Sequence, residues 1–305
     1  MAAGPGFCEE RSCYNIFMDG FLKSVDKSPA LSQLIPVVLT IVVLGILLLI
    51  LNASIRLFNA LPGSIPIILN IHPVDVIIGA SVYLKTEIDF AILLGRLMDL
   101  YPGWRNRVAL EIGSGVGNAA GTILVIGLWV IFKNIALLLA AMVFVASLVL
   151  FELAHSGLDY LTNWESESGF KKWSYFILHH VLDVIGAVIN PLLSKIVPDL
   201  GEQLRGREGL SWKKLATFSM QIPFILGLDD FAGYVPLFSV VNVYGFGIGV
   251  IGAHTLLNIS LFLSPKHTID AVKNEYVTFA GTVAFIGIAF YGLIEVGKII
   301  FQVIH

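Results

Sequence analysis

Long apolar runs separated by short polar breaks dominate the chain. A bilayer core of about 30 Å takes about 20 apolar residues in helical form. Seven segments fit that scale: 34–51, 74–98, 112–132, 135–154, 215–240, 243–263 and 276–303. Only Lys133 and Asn134 join the third to the fourth, a tight hairpin, and the fifth and sixth are joined as closely. Residues 1–33 are polar and mixed in charge. They lack the short apolar core and small-residue cleavage site of a secretory leader.

An eighth stretch, 173–198, is long enough to span, but it carries His179, His180, Asp183, Asn190 and Pro191. Lys171 and Lys172 precede it; Arg205, Arg207, Lys213 and Lys214 follow. If it spanned, one basic cluster would face outward, against the positive-inside tendency. It therefore reads as an interfacial or re-entrant helix within a long cytoplasmic loop. With the N-terminus inside, the inner segments hold Arg11, Lys23, Lys27, Arg105, Arg107, the loop cluster, Lys266 and Lys273. The outer loops hold little beyond Arg56 and Lys133.

The composition agrees. Of 305 residues, 56% are hydrophobic and 13% charged, and the mean hydropathy is +0.84. Soluble domains carry roughly 25% charge, so an integral membrane protein is expected, in a prokaryotic plasma membrane with the lipid bilayer as its first partner. A net charge of -3 argues against a nucleic-acid partner. Cys8 and Cys13 are too few for a disulfide framework and read as exposed thiols.

The chain also repeats itself. Asp89-Phe90-Ala91 in the second segment matches Asp230-Phe231-Ala232 in the fifth. Each is followed by a helix opening on alternate glycines, Gly113, Gly115 and Gly117 in one and Gly245, Gly247 and Gly249 in the other. Segments 2–4 and 5–7 then form two three-helix halves of opposite topology. The expected fold is all-α: one N-terminal helix plus two inverted three-helix repeats. The divisions are 1–71 (polar terminus and first helix), 72–155 (first repeat), 156–212 (cytoplasmic loop with interfacial helix) and 213–305 (second repeat). Inverted repeats are a transporter pattern, with the substrate near the midplane between halves.

Acids inside a membrane helix cost about 2.5–3.5 kcal/mol each on insertion scales. Segment 2 holds Lys85, Glu87 and Asp89, and segment 5 holds Asp229 and Asp230. Adjacent residues on a helix diverge by about 100°, so both aspartates face one cavity only if the helix breaks. Pro223, Gly227, Gly233 and Pro236 make a break there plausible. The glycine helices add Asn118, Thr122, His254, Thr255 and Asn258, with His254 and Asn258 on one face. Carboxylate with amide suits Ca²⁺ or Mn²⁺; carboxylate with imidazole suits Mn²⁺, Zn²⁺ or other transition metals. The candidate ion site is Glu87, Asp89, Asn118, Asp229, Asp230, His254 and Asn258, with Asp89 and Asp230 as metal ligands. Structural readings stand beside it. Asp89 can pair with Lys85, His254 can be a helix contact, and Asn118 can be interhelical glue. His72 and Asp75 suit a helix start, Glu111 a cap before segment 3, and Glu152 and His155 an interface. His179, His180 and Asp183 suit a solvated face.

The stretch Gly227–Gly249 is similar to the second-half motif of CadD-type cadmium-resistance transporters and their TerC-like relatives. The two-half pattern resembles the LysE superfamily of membrane transporters. Asp229-Asp230 takes the acidic place, followed by Tyr234-Val235-Pro236-Leu237-Phe238, and Glu87-Ile88-Asp89-Phe90 is the first-half counterpart. The resemblance implies export of a divalent cation of the Mn, Cd, Zn or Ca class, driven by proton exchange or membrane potential. It implies no permanently bound cofactor and no enzymatic activity. The alternatives are a LysE-like carrier of a small polar solute and a membrane-embedded metal-dependent enzyme. The glycine faces serve intrachain packing or a homo-oligomer. Residues 109–122 also look like the methyl-donor loop of a methyltransferase, but no acid follows within the next twenty residues. Gly113, Gly117 and Gly121 line one helix face instead, the small-xxx-small pattern of membrane helix contacts.

Overall fold

The computed structural model describes residues 25, 28–62, 64–158, 161, 163–167, 169–193 and 211–304, except the side chains of residues 29, 88, 89, 188–193, 224–233, 239 and 272. The aspartates Asp89, Asp229 and Asp230 are therefore placed by backbone only, and Cys8 and Cys13 lie outside the described residues. The described chain is helical: α1 (Pro29–Asn59), α2 (Pro73–Thr86), α3 (Ile88–Leu100), α4 (Trp104–Phe132), α5 (Ala136–Leu158), α6 (Asn163–Ser166), α7 (Phe170–Leu193), α8 (Trp212–Tyr234), α9 (Val243–Leu263), α10 (Pro265–Val272) and α11 (Glu275–Ile304). A 3₁₀ turn, Val235–Ser239, follows α8. Among the described residues, α1, α4, α5, α9 and α11 are long and apolar enough to cross a membrane. The architecture is compatible with an all-α integral membrane protein.

Helix ends differ from the hydropathy reading where polar residues extend an apolar core. The first helix starts at Pro29, five residues before the apolar run, because the Ser28 hydroxyl accepts from the Leu31 amide. The fourth starts at Trp104 rather than residue 112, so Glu111 is not a cap but a buried residue two turns inside α4. His72 does sit at the N-cap of α2, yet its side chain makes no cap bond; its ring meets Asn70 instead. Asp75 is buried in the first turn of α2.

The helix break falls in the other half from the one expected. Pro223 lies inside a continuous α8, whose helix gives way only at Tyr234. The second segment, free of proline within the helix, is divided at Glu87. The Thr86 hydroxyl is within bonding distance of the Val82 and Tyr83 carbonyls, at 3.3 and 3.0 Å. The Glu87 amide still reaches the Tyr83 carbonyl at 3.0 Å, so the helical bonding is kept up to the break.

Three helix pairs form the body: α4 with α8, α2 with α9, and α5 with α11. The first two are closed by glycine. A methyl at Gly113 would collide with the Ala216 carbonyl, and one at Gly117 with the Met220 carbonyl. In the second pair, a methyl at Gly249 would strike the Val76 carbonyl, one at Gly79 the Phe246 carbonyl, and one at Gly245 would lie 3.0 Å from Asp75 Cβ. At Gly79, Gly113, Gly117 and Gly249 the approach is to backbone and leaves no room for a side chain, whereas at Gly245 the neighbour is the Asp75 side chain. Gly121, on the same stripe, has nothing within 4 Å and is not part of the seam.

These contacts also fix direction. Residue numbers rise together across α4 and α8 and across α2 and α9, so both pairs are parallel. Gly157 meets Thr282 and Ser147 meets Gly292, so α5 and α11 are antiparallel. α1 lies against α4 and α9. At its far end, Lys133 donates to the Ile65 carbonyl at 2.7 Å and Asn242 to that of Ile68 at 2.9 Å, tying down the link between α1 and α2.

Candidate functional site

The α4 sequence puts polar residues on one side and glycine on another. At 100° per residue, Glu111, Ser114, Asn118 and Thr122 fall within an arc of about 80°, next to the Gly113–Gly117 seam. All four are buried. α9 faces this stripe with His254 and Asn258, also buried and one turn apart. Asn258 Nδ2 donates to Ser114 Oγ at 3.0 Å and lies 3.0 Å from His254 Nε2. That nitrogen is also 3.3 Å from Ser114 Oγ.

The divided segment wraps His254 from the other side. Tyr83, before the break, places its hydroxyl 2.5 Å from His254 Nδ1. Phe90, after the break, stacks on the imidazole at 5.5 Å between centroids. Both ring nitrogens of His254 thus have protein partners. Asn258 as donor makes Nε2 the acceptor, which leaves the proton on Nδ1, facing Tyr83. Glu87 is buried at the break itself.

Other atoms of the stripe are open. Both amide atoms of Asn118, Thr122 Oγ1, Glu111 Oε1 and Asn258 Oδ1 have no hydrogen-bond partner among the described residues. Asn118 is therefore not interhelical glue among them. Leaving such a group unpaired costs about 1–3 kcal/mol. The second oxygen of Glu111 accepts from Thr40 of α1 at 2.5 Å.

The seven candidate residues thus divide. His254 and Asn258 meet at Ser114, Asn118 is buried one turn further along α4, Glu87 is buried at the break, and the side chains of Asp89, Asp229 and Asp230 lie outside the described residues. Among the described residues, no group of three His, Cys, Asp or Glu side chains is placed to hold a metal ion. Sequence reasoning missed Tyr83, Thr40 and Ser114. Ser114 was within reach, being three residues after Glu111 and four before Asn118.

Two further polar sets lie apart. Lys85 donates to the Thr278 carbonyl at 3.4 Å and lies 5.8 Å from the Phe285 ring centre. The buried hydroxyls of Thr278 and Thr282 beside it have no partner among the described residues. At the bundle end, Asp183 accepts from His179 Nδ1 at 2.6 Å and meets His155 Nε2 at 3.2 Å, so the predicted solvated face of α7 is pinned to α5. Nearby, Lys171 bridges Glu167 and Glu275, each at 3.1 Å. Glu275 first, then Glu167, holds its amine above the usual lysine range.

No family model, curated protein or solved structure matches the chain.

Proposed function

We propose that the chain is an inverted-repeat transporter of the LysE type. It exports a divalent cation of the Mn, Cd, Zn or Ca class through the stripe between α4 and α9. The observation that carries this reading is Asn118, buried with neither amide atom bonded among the described residues, on one stripe with Thr122 Oγ1, which likewise has no partner among them. Amide and hydroxyl oxygens replace water around a hard cation, and the carboxylates of Asp89, Asp230 and Glu87 neutralise it. A broken helix beside the site is the usual way irregular backbone enters a membrane.

The packing supports the repeat. Aligning Asp89 with Asp230, an offset of 141, pairs Asp75 with Ala216 and Gly79 with Met220. Aligning the glycine helices, an offset of 132, pairs Gly113 with Gly245 and Gly117 with Gly249. Exchanging the halves therefore turns the Gly113–Ala216 contact into the Gly245–Asp75 contact, and the α4–α8 pair into the α9–α2 pair. The helix directions suit seven crossings, with α2 and α3 together as one and α8 as another. Lys171, Lys172, Lys213, Lys214, Lys266 and Lys273 gather at one end, which the positive-inside tendency makes cytoplasmic together with the N-terminus.

The test is flux of Mn²⁺ and Cd²⁺ in vesicles holding the whole chain, beside Asp89→Asn, Asp230→Asn and Asn118→Leu. Loss of metal flux in all three variants is expected. Wild-type vesicles that move no metal reject the reading; flux unchanged by the variants rejects the site. One observation favours a small polar solute instead. The buried hydroxyls of Thr278 and Thr282, without partners among the described residues, suit a polar solute, and solute flux insensitive to metal would point there.

A further inference from the structure

We infer that α7 lies in the interfacial layer of the bilayer, parallel to its surface, with one edge sunk among the acyl chains and Lys172 on its water side. Two arguments about position come first. α4 and α8 begin side by side: Trp212 Nε1 donates to the Arg105 carbonyl at 2.9 Å, and the two helices run parallel. α5 brings the chain back from the far end of α4, so the segment between α5 and α8 makes no net crossing. The second argument is the tilt of α7. Near its start, the Phe170 ring lies 6.0 Å from that of Phe279, four residues into α11. Thirteen residues later, Asp183 meets His155, three residues before the end of α5. Thirteen helical residues cover about 20 Å, yet both contacts fall at the same end of the bundle. α7 therefore runs obliquely across that end, resting on the last turns of α5.

The surface of α7 then has three distinct sides. Leu182 and Ser174 are buried, facing the bundle. Lys172, His179 and Asp183 form a polar strip. The remaining edge holds Phe170, Trp173, Phe176, Ile177 and Val184 within an arc of about 120°, with exposed His180 among them, its ring stacked 6.3 Å from that of Phe176. Phe170, Trp173, Phe176 and Val184 are 66%, 65%, 70% and 60% exposed. An edge of this size, apolar but for the imidazole of His180, beside membrane-crossing helices suits the boundary of headgroup and acyl chain, where Trp and Phe partition and polar rings and amines reach phosphates. The cluster of Lys171, Trp164 and Glu275, with Asp183 held by His155, keeps the helix at that level.

The test is depth, and it is independent of any transport. The full chain, with Cys8→Ser and Cys13→Ser, carries a nitroxide at Trp173→Cys, Phe176→Cys or Lys172→Cys in vesicles of phosphatidylethanolamine and phosphatidylglycerol. Collision with oxygen against a nickel chelate should put labels 173 and 176 about 5–10 Å below the phosphates and label 172 in the chelate-accessible layer. Chelate access at 173 and 176 equal to that at 172 would overturn the inference in favour of a water-facing edge. Depths near the bilayer centre would overturn it in favour of an inserted helix. Two edge positions guard against a single variant that does not fold.

Discussion

The α4–α8 and α2–α9 seams are built alike and furnished differently. In each, two glycines one turn apart let a parallel neighbour approach backbone to backbone. Yet the glycine offset that matches the seams pairs Glu111 with Val243, Ser114 with Phe246, Asn118 with Val250 and Thr122 with His254. Packing is shared by both seams, whereas the polar chemistry is concentrated on α4 and in the second half of α9. Shape can be duplicated cheaply because it needs only missing side chains. Buried polar groups are each costly, and one set is enough for one site.

The strongest way to break this comparison is to fill both seams. Gly117→Ala and Gly249→Ala each set a methyl against a backbone carbonyl, and each should cost about 3 kcal/mol by the overpacking rule. Titration from mild detergent into dodecyl sulfate measures it; tolerance of one and not the other would show that the seams are not equivalent. Tyr83→Phe should cost about 2 kcal/mol in the same titration, since it strips His254 Nδ1 of its partner. Asn118→Leu should cut metal flux at least tenfold, about 1.4 kcal/mol, while Val250→Thr at the matching place leaves it unchanged. The smallest effect belongs to Gly121→Ala. With nothing within 4 Å, it should gain about 0.5 kcal/mol from helix propensity; a loss would mean the seam runs further than described.

Parts of this arrangement could be read directly from residues. α9 covers Val243–Leu263, as hydropathy predicts, because Asn242 caps it through the Tyr244 and Gly245 amides and Ser264-Pro265 stops it. The glycine pairs announced close contacts, though not which helix would fill them. The break at Glu87 carries no proline or glycine to announce it, whereas Pro223, the conspicuous breaker, is accommodated inside α8. Tyr83 and Thr40 left no local trace. Their partners stand 171 and 71 residues away in the chain, and such pairings come only with the fold.

The seams also set a timetable for biogenesis. Gly113 and its contact Ala216 are separated by most of the central chain, and Gly79 waits still longer for Phe246. During synthesis, α4 is therefore made with its glycine face without the α8 partner until α8 emerges. The α2 face stays open until α9 has followed. The insertion machinery, or transient lipid contacts, must shelter two bare backbone grooves, and the α4 groove closes first.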